Sequence, residues 1–185
     1  PLTNDFSIDV DAYTGDNGGI LIPNPNAPTG VLLPLEKIER LLANNPDSVV
    51  VIDEAYIDFG GRSATTLIGQ YDNLLVIQTA SKSRSLAGLR VGVAFGCVDL
   101  IDGLVRVKDS FNSYPMDVVA QQAALASLAD ESWFLNGCQQ VMDTRERVSV
   151  RMQAMGFDVL PSAANFIFSR HPVHSAEALF CALRD

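Results

Sequence analysis

Residues 74–92 read Leu74-Leu75-Val76-Ile77-Gln78-Thr79-Ala80-Ser81-Lys82-Ser83-Arg84-Ser85-Leu86-Ala87-Gly88-Leu89-Arg90-Val91-Gly92. The apolar run at 74–77 is typical of a buried strand, here predicted over 74–78, and a second run at 91–95 predicts the next strand. The two runs are separated by the 11 residues 80–90, whereas a parallel crossover needs a dozen or more. The spacing therefore predicts an antiparallel pair of strands joined by a loop that carries a lysine.

Lys82 lies just past the end of the first strand, next to the hydroxyl side chains of Thr79 and Ser81. A lysine that leaves a sheet into a crevice loses part of its hydration, which favours the neutral, nucleophilic amine. These hydroxyls and the guanidinium of Arg90 suit a phosphate dianion. An amine beside a phosphate site is what an aldehyde cofactor with a phosphate group requires. The alternative is an ordinary surface lysine, since most lysines are solvated.

Two more apolar runs, at 20–22 and 49–52, predict buried strands that precede the lysine. The run at 49–52 consists of Val and Ile, which is typical of a strand covered on both faces. The Pro-dense stretch 23–30 can be neither a helix nor a central strand, so we expect a rigid loop. Apolar residues at helical spacing over 35–42 predict a helix between the strands. This alternation predicts the α/β class with a mostly parallel sheet.

Beyond residue 98 the pattern becomes mainly helical. Helices are predicted over 100–107, 117–129, 131–155 and 176–183, with two short strands at 157–160 and 166–168. We expect residues 1–128 to form the core of one domain. Residues 129–185 are expected to form a linker helix and the beginning of a smaller α+β domain. Trp133 and Phe134 are predicted to lie in the core. His171 and His174 are predicted to be solvated, because no acid or cysteine cluster completes a metal site.

Three unusual segments each follow a predicted strand directly: Pro25–Gly30, Asp53–Tyr56 and Ser81–Arg90. Loops at the carboxyl ends of parallel strands share one crevice in an open α/β sheet, and ligands bind there. A carboxylate directly after four β-branched residues needs a cation or several donors, and the protonated nitrogen of a pyridine ring would serve. Tyr56 could donate to an oxygen on the same ring. The alternatives for Asp53 are a helix cap or a nucleotide-site acid, and the latter lacks a phosphate loop in this sequence.

The segment Ser-Lys-Ser-Arg-Ser-Leu-Ala-Gly-Leu-Arg-Val-Gly resembles the lysine segment of fold-type I pyridoxal-phosphate aminotransferases, and most closely the histidinol-phosphate group. This resemblance implies that Lys82 bonds to the cofactor, that Asp53 holds its pyridine nitrogen and that Tyr56 holds its ring hydroxyl. Ser81 and Arg90 match phosphate ligands, whereas Arg84 has no cofactor role in that family.

The loop before the first helix departs from the family pattern. Many relatives have an Asn immediately before Pro-Thr-Gly, but here that position is Ala27 and the asparagine is Asn26. Asn26 is therefore a candidate cofactor ligand in place of that asparagine; otherwise Asn26 holds only the loop, and Tyr56 with a water bonds the ring hydroxyl.

The resemblance also implies an architecture and an activity. The expected fold has three layers, α/β/α, with the start of a smaller domain. The expected reaction is pyridoxal-phosphate-dependent transamination between histidinol phosphate, or a related aromatic amino acid, and 2-oxoglutarate. A decarboxylase or lyase of the same fold, or a non-catalytic fragment, remains an alternative. Homodimerisation is expected from the family, and the chain is expected to be the middle part of a larger enzyme.

Composition excludes several other classes of function. The 185 residues include 13 basic and 22 acidic side chains, which gives a net charge of −9. An acidic chain without a basic stripe argues against nucleic acid as a partner. No apolar run approaches the roughly 20 residues of a membrane span, so no membrane partner is expected. The scattered Cys97, Cys138 and Cys181 indicate reduced, buried thiols in a cytoplasmic protein.

Overall fold

A four-stranded sheet, β1-β2-β3-β4, is the centre of the computed structural model, which describes residues 2–184. The strands are β1 (Ile20–Pro23), β2 (Val50–Asp53), β3 (Leu74–Thr79) and β4 (Gly92–Gly96). β1, β2 and β3 are parallel. β4 runs antiparallel to β3, so the direction predicted from the short connection is confirmed.

The α-helices of the described residues follow the predicted order. They are α1 (Leu35–Asn44), α2 (Val98–Phe111), α3 (Val118–Ala129), α4 (Glu131–Ala154) and α5 (Ala176–Arg184). Short 3₁₀ helices lie at Val10–Ala12, Ile57–Phe59, Ala64–Leu67 and Ala87–Leu89. The side chain of Asp117 caps α3 by accepting from the Ala120 N–H at 2.9 Å, which satisfies one of the free donors of the first turn.

Helix α1 packs on one face of the sheet because its apolar side chains recur at helical spacing. Ile38, Leu41 and Leu42 are fully buried, and they meet the alternate residues of the strands, such as Ile52 and Val76, in one core. Burial of each such side chain stabilises the fold by about 1.5–3 kcal/mol. Packing in this core holds the strands in their positions, and the candidate site lies at the edge of the sheet where the parallel strands end.

Helix α2 lies on the opposite face. Side chains alternate along a strand, so Leu75 points away from the face of Val76. Leu75 pairs with Gly96, and a Cβ added at Gly96 would lie on the same face as the Leu75 side chain. That Cβ would be 3.7 Å from Cβ of Leu100 in α2, so α2 covers this face. Helices therefore flank both faces of the sheet, and the predicted α/β class with a mostly parallel sheet is confirmed.

A second, two-stranded sheet lies near the end of the chain. Strand β5 (Asp158–Val159) pairs antiparallel with β6 (Ser169–Arg170). The strand predicted at 166–168 was therefore placed too early. The aromatic residues of that segment pack elsewhere: Phe168 lies edge-on to Phe6 at 5.4 Å, and Phe166 contacts Tyr56.

The structure corrects two further predictions about burial. Trp133 is 53% exposed, so its predicted place in the core is wrong. Successive helical residues are separated by about 100°, and it is the next residue, Phe134, that faces the protein beneath Arg84. All three cysteines are free, but only Cys138 is buried, and Cys181 is exposed.

Other predictions concern the later part of the chain. His171 is partly covered and lies against the rings of Phe157 and His174, whereas His174 is exposed. No cluster of metal-binding side chains occurs between residues 2 and 184. Over the same range, no helix has the length and apolar character needed to cross a membrane. Helix α4 packs against Ile57–Phe59, and the boundary between 1–128 and 129–185 stays a prediction.

Candidate functional site

The carboxyl ends of the three parallel strands lie side by side. Pro23, Asp53 and Ile77 are register partners across β1, β2 and β3. Two backbone hydrogen bonds continue the ladder past the strands: Asn24 N–H donates to Asp53 O at 2.7 Å, and Glu54 N–H donates to Ile77 O at 2.8 Å. The three segments that looked unusual in the sequence therefore leave the sheet at one edge. This edge, marked by Pro23, Asp53 and Ile77, is the rim of the candidate site.

The loop after β1 is held by buried amides. The side chain of Asn24 is fully buried; its Oδ1 accepts from Leu33 N–H at 2.8 Å and its Nδ2 donates to Leu33 O at 3.0 Å. Asn26 donates through Nδ2 to Thr29 Oγ1 at 2.7 Å, and its carbonyl accepts from Gly30 N–H at 2.7 Å. Of the two alternatives for Asn26, these bonds favour support of the loop.

Asp53 and Glu54 diverge because neighbouring side chains alternate across a strand. The carboxylate of Asp53, on the face away from the α1 core, accepts a hydrogen bond from Ala55 N–H at 3.1 Å. Glu54 continues the row of Val50 and Ile52 on the core face and is only 1% exposed. The two acidic side chains therefore lie on opposite faces of the sheet, and Asp53 is the one at the rim.

Glu54 is a buried acid that sequence reasoning did not select. Its carboxylate accepts from Ser63 Oγ at 2.6 Å, from Ala64 N–H at 2.6 Å and from Gln78 Nε2 at 2.8 Å. Burial raises the pKa of Glu54, and these three donors only partly oppose that effect. The network joins β2, β3 and the 3₁₀ helix Ala64–Leu67 behind the rim. The feature of the sequence that could have indicated this network is the second acidic residue directly after Asp53.

Lys82 and Tyr56 come together at the rim although 26 positions separate them in sequence. Nζ of Lys82 lies 5.5 Å from the centroid of the Tyr56 ring, a distance at which an ammonium group and a ring face attract each other. The Tyr56 ring is also held edge-on by Phe166 at 5.0 Å. The side chain of Lys82 is exposed, so the described residues do not produce the dehydration expected from its position past a strand.

The predicted phosphate ligands lie around the turn that carries Lys82. Thr79 Oγ1 lies 2.9 Å from Ser81 Oγ and 3.1 Å from Ser81 N, so the two hydroxyls are adjacent. Arg90 has φ 55°, in the left-handed region, and its Nη1 donates to Ala87 O at 2.9 Å. A positive φ is uncommon for a residue other than glycine, and such positions cluster at functional sites.

The turn itself is anchored on two sides. Ser83 Oγ donates to Asp58 Oδ2 at 2.5 Å. Arg84 Nη1 donates to Ser127 O at 2.7 Å in the last turn of α3, and its guanidinium lies 4.0 Å from the centroid of the Phe134 ring. These contacts give Arg84 a structural role in holding the turn. The contact of Ser83 was missed, because its partner Asp58 lies 25 residues earlier.

Arg145 of α4 joins the rim to the last part of the chain. Its Nη1 donates to Phe59 O at 2.8 Å and to Ala164 O at 2.7 Å. Burial lowers the pKa of Arg145. Arginine stays protonated in proteins, so this guanidinium is a fixed support rather than a titrating group. Sequence analysis gave no signal for it beyond a charge on a long helix.

These side chains fit a phosphate-bearing aldehyde cofactor. The amine of Lys82 is accessible for bond formation with an aldehyde, and the phenol of Tyr56 lies beside it. The carboxylate of Asp53 lies at the end of the adjacent strand β2, at the same rim. The hydroxyls of Thr79 and Ser81 are adjacent acceptors and donors for a phosphate. The arrangement supplies a nucleophile, an anion and hydroxyl donors at one rim.

Comparison with known proteins agrees with this chemistry. The family described as aminotransferase class I and II matches the chain over residues 1–185. A histidinol-phosphate aminotransferase of Burkholderia lata is 58% identical over 185 residues, which is 100% of this chain and 52% of that protein. This chain therefore spans about half the length of the curated relatives it matches.

Solved structures with the same fold include enzymes of two kinds. A histidinol-phosphate aminotransferase from Sinorhizobium meliloti, in complex with pyridoxal 5′-phosphate, has 26% identity and a TM-score of 0.79, covering 91% of this chain and 47% of its own. A decarboxylase from Sulfurospirillum multivorans has 25% identity and a TM-score of 0.84, covering 98% of this chain and 56% of its own. The fold is shared by both kinds of enzyme and does not by itself separate them.

Proposed function

Because the chain belongs to the aminotransferase class I and II family, we propose that the whole protein is a pyridoxal-phosphate-dependent aminotransferase. The proposed reaction moves the amino group of histidinol phosphate to 2-oxoglutarate, giving imidazole acetol phosphate and glutamate, a step of histidine biosynthesis. The observation that carries this proposal is the amine of Lys82 lying 5.5 Å from the ring of Tyr56, at the rim where β2 and β3 end.

The side chains would hold the cofactor by its different groups. Lys82 would bond to its aldehyde carbon. Asp53 would accept a hydrogen bond from the ring nitrogen and keep it protonated, since an anion favours the charged form of its neighbour. Tyr56 would donate to the ring oxygen. Ser81 and Thr79 would bind the phosphate together with Arg90, whose planar guanidinium matches phosphate oxygens.

The cofactor, when bound, supplies an electron-accepting ring. The chain's own contribution to the reaction is proton transfer and positioning. Nζ of Lys82, once displaced by the substrate amine, would accept the proton of the substrate α-carbon as a general base and then donate it as an acid to the former aldehyde carbon of the cofactor. Phe166 packs against the Tyr56 ring at 5.0 Å and so keeps the phenol in a fixed orientation. Asn26 would support the loop beside the cofactor.

Covalent capture of the cofactor tests the proposal directly. The full-length protein that carries this chain is mixed with pyridoxal phosphate. The Lys82 nitrogen then bonds to the aldehyde carbon, the carbonyl oxygen leaves as water, and borohydride reduces the new bond to a stable secondary amine. Peptide mass spectrometry is expected to locate the adduct on Lys82. Lys82→Ala should abolish both the adduct and transamination. The control Lys108→Ala changes an exposed lysine of α2 that pairs with Asp109, and should retain both.

A protein without an adduct, or with an adduct on another lysine only, would refute the proposal. Loss of activity in the Lys82 variant must also occur without loss of the fold. Lys82 is exposed, and such substitutions usually change stability by no more than about 0.5 kcal/mol. A circular dichroism spectrum and a thermal midpoint for each variant check that requirement.

A decarboxylase is the second candidate, because a decarboxylase shares this fold and the same lysine, carboxylate and phenol would serve either reaction. The α-carbon bond that breaks is the one held perpendicular to the ring, and contacts to the substrate select it. Incubation of the full-length protein with histidinol phosphate and, separately, with aromatic amino acids, each with and without 2-oxoglutarate, separates the two functions. Glutamate formation supports the aminotransferase, whereas carbon dioxide release independent of 2-oxoglutarate supports the decarboxylase.

We further propose that the whole protein is a cytoplasmic homodimer that acts on small amino and oxo acids, and that neither nucleic acid nor a membrane is its partner. The support is the family membership together with the net charge of −9. Sedimentation of the full-length protein tests the dimer, and a monomer that retains full activity would refute it.

A further inference from the structure

We propose that Asp58 and Ser83 form a positioning pair that holds the amine of Lys82 beside the ring of Tyr56. This inference rests on the proposed function of Lys82 and adds two residues to it. Neither residue is expected to touch the substrate or the cofactor. Their effect is expected to pass through the two neighbours whose geometry they set.

The pair joins the two loops that carry the reactive groups. Ser83 follows Lys82 directly, and Asp58 comes two residues after Tyr56. Ser83 Oγ donates to Asp58 Oδ2 at 2.5 Å, and Ser83 is only 8% exposed. A hydrogen bond to a carboxylate is stronger than one between neutral groups. The bond therefore fixes the start of the lysine turn relative to the segment that begins with the phenol.

The other hydrogen bonds of the turn do not fix this relation. Ser85 N–H donates to Lys82 O at 3.1 Å and Leu86 N–H donates to Ala80 O at 3.0 Å, so these bonds close the turn on itself. Arg84 anchors the turn to Ser127 of α3.

Among the hydrogen bonds of residues 2–184, the bond between Ser83 and Asp58 is the one that ties residues 80–90 to residues 55–60. Those two segments carry the amine and the phenol, so this bond joins them directly, whereas Glu54 and Gln78 tie together the strand ends below them.

The expected effect is preorganisation of the amine. Lysine has a long side chain, and holding it in one place costs conformational entropy of up to about 2 kcal/mol. When the turn is already fixed beside Tyr56, only the rotamers of the lysine, and not the position of its backbone, remain to be fixed as Nζ approaches an aldehyde carbon. Reactions between groups held close together and well oriented proceed much faster than those between freely moving groups. Loss of the bond should therefore slow bond formation at Lys82.

The test measures the rate at which Lys82 captures the cofactor, independently of turnover. The cofactor-free full-length protein is mixed with pyridoxal phosphate, quenched with borohydride at successive times, and the adduct on Lys82 is quantified by mass spectrometry. The variants are Ser83→Ala, Asp58→Ala, the double variant and Asp58→Asn, which keeps a carbonyl acceptor. The matched control is Ser110→Ala, which removes a 2.8 Å hydroxyl bond to Arg106 O in α2.

Each alanine variant is expected to capture the cofactor about tenfold more slowly, the scale of one charge-assisted hydrogen bond. The double variant should be no slower than either single variant, since all three remove the same bond. Asp58→Asn should stay within about threefold of the parent, because a neutral acceptor retains part of the bond. Ser110→Ala should match the parent. A role confined to stability would instead lower the thermal midpoint and leave the capture rate unchanged.

Unchanged capture rates in the alanine variants would overturn the inference, as would multiplicative slowing in the double variant or an asparagine variant as slow as the alanine one. These results would leave the proposed function standing, because the parent still captures the cofactor on Lys82. A parent that captures none would overturn the function and the positioning pair together.

Discussion

Replacing the buried Glu54 tests whether its hydrogen-bond network on the core face of the sheet stabilises the fold beneath the rim. In Glu54→Ala, Ser63 Oγ keeps Thr65 Oγ1 as a partner at 2.8 Å, and Gln78 Nε2 keeps Ser63 Oγ at 3.3 Å. The Ala64 N–H, which now donates to Glu54 at 2.6 Å, is left without its acceptor. An unpaired buried donor costs about 1–3 kcal/mol, and the one buried methylene group that is removed contributes about 0.8 kcal/mol. Relief of the carboxylate's desolvation offsets part of this, so we expect a loss of about 1–3 kcal/mol.

The same residue predicts a dependence of stability on pH. Burial raises the pKa of Glu54 above its ordinary value of 4.5, so the folded state binds the proton more tightly than the unfolded state. The stability that comes from this difference is fully present below pH 4.5 and is lost as the pH rises through the folded pKa. Glu54→Gln keeps an acceptor and cannot ionise. Its stability relative to the parent should therefore increase as the pH rises from 4.5.

Urea unfolding of the full-length parent and both variants, followed by circular dichroism at a series of pH values, measures these differences. Comparing variants with the parent cancels the titration of other groups, such as Asp5, whose pKa is lowered to about 2 by hydrogen bonds from Thr3 and Ser7. An alanine variant within about 0.5 kcal/mol of the parent would refute the account of the network, since that is the range of neutral surface changes. A glutamine variant with the parent's pH dependence would refute the titration of Glu54.

Three further substitutions probe the scaffold of the site by thermal unfolding of the full-length protein. Gly30→Ala should cost more than about 1 kcal/mol, since Gly30 has φ 76° and a new Cβ would lie 2.9 Å from the Cβ of Ser162; Gly103→Ala, in α2 with free space around it, should instead stabilise by about 0.5–1 kcal/mol. Arg145→Met should lower stability by about 1–3 kcal/mol, because Phe59 O and Ala164 O lose their donor, and an unchanged midpoint would contradict that role. Leu41→Ala, at a fully buried core position, should cost about 2–5 kcal/mol, and a smaller loss would mean that the core collapses around the cavity.

The sequence predicted the features that depend on local pattern and on chain direction. The Val-rich run of β2 and the short connection before β4 predicted the parallel sheet and its one antiparallel strand, because strand period and crossover length act over a few residues. The meeting of Lys82 with Tyr56 followed from the rule that the carboxyl ends of parallel strands share an edge. Assignment of roles to these side chains depended on resemblance to a family.

The contacts that sequence analysis missed are long-range contacts between side chains. Ser83 bonds to Asp58 across 25 positions and Arg145 bonds to Phe59 O across 86, and no periodicity indicates either partner. Glu54 was overlooked because its neighbour Asp53 accounted for the acidic pair, although alternation along the strand sends the two carboxylates to opposite faces. The exposure of Trp133 was mispredicted because its hydrophobic character was read without its angle around the helix.

The hairpin formed by β3 and β4 has a consequence for how this segment can vary. The Ala80 N–H donates to Val91 O at 3.0 Å, and the ladder below continues through five register pairs. The nucleophile thus lies in a closed loop whose ends are clamped together, rather than in a crossover that must span the sheet. Insertions or replacements between these ends change the local shape around Lys82 while the strands keep their alignment. Grafting this segment between family members would therefore keep the alignment of the strands, but it would transfer the local geometry only together with the contacts to Asp58 and Ser127 outside it.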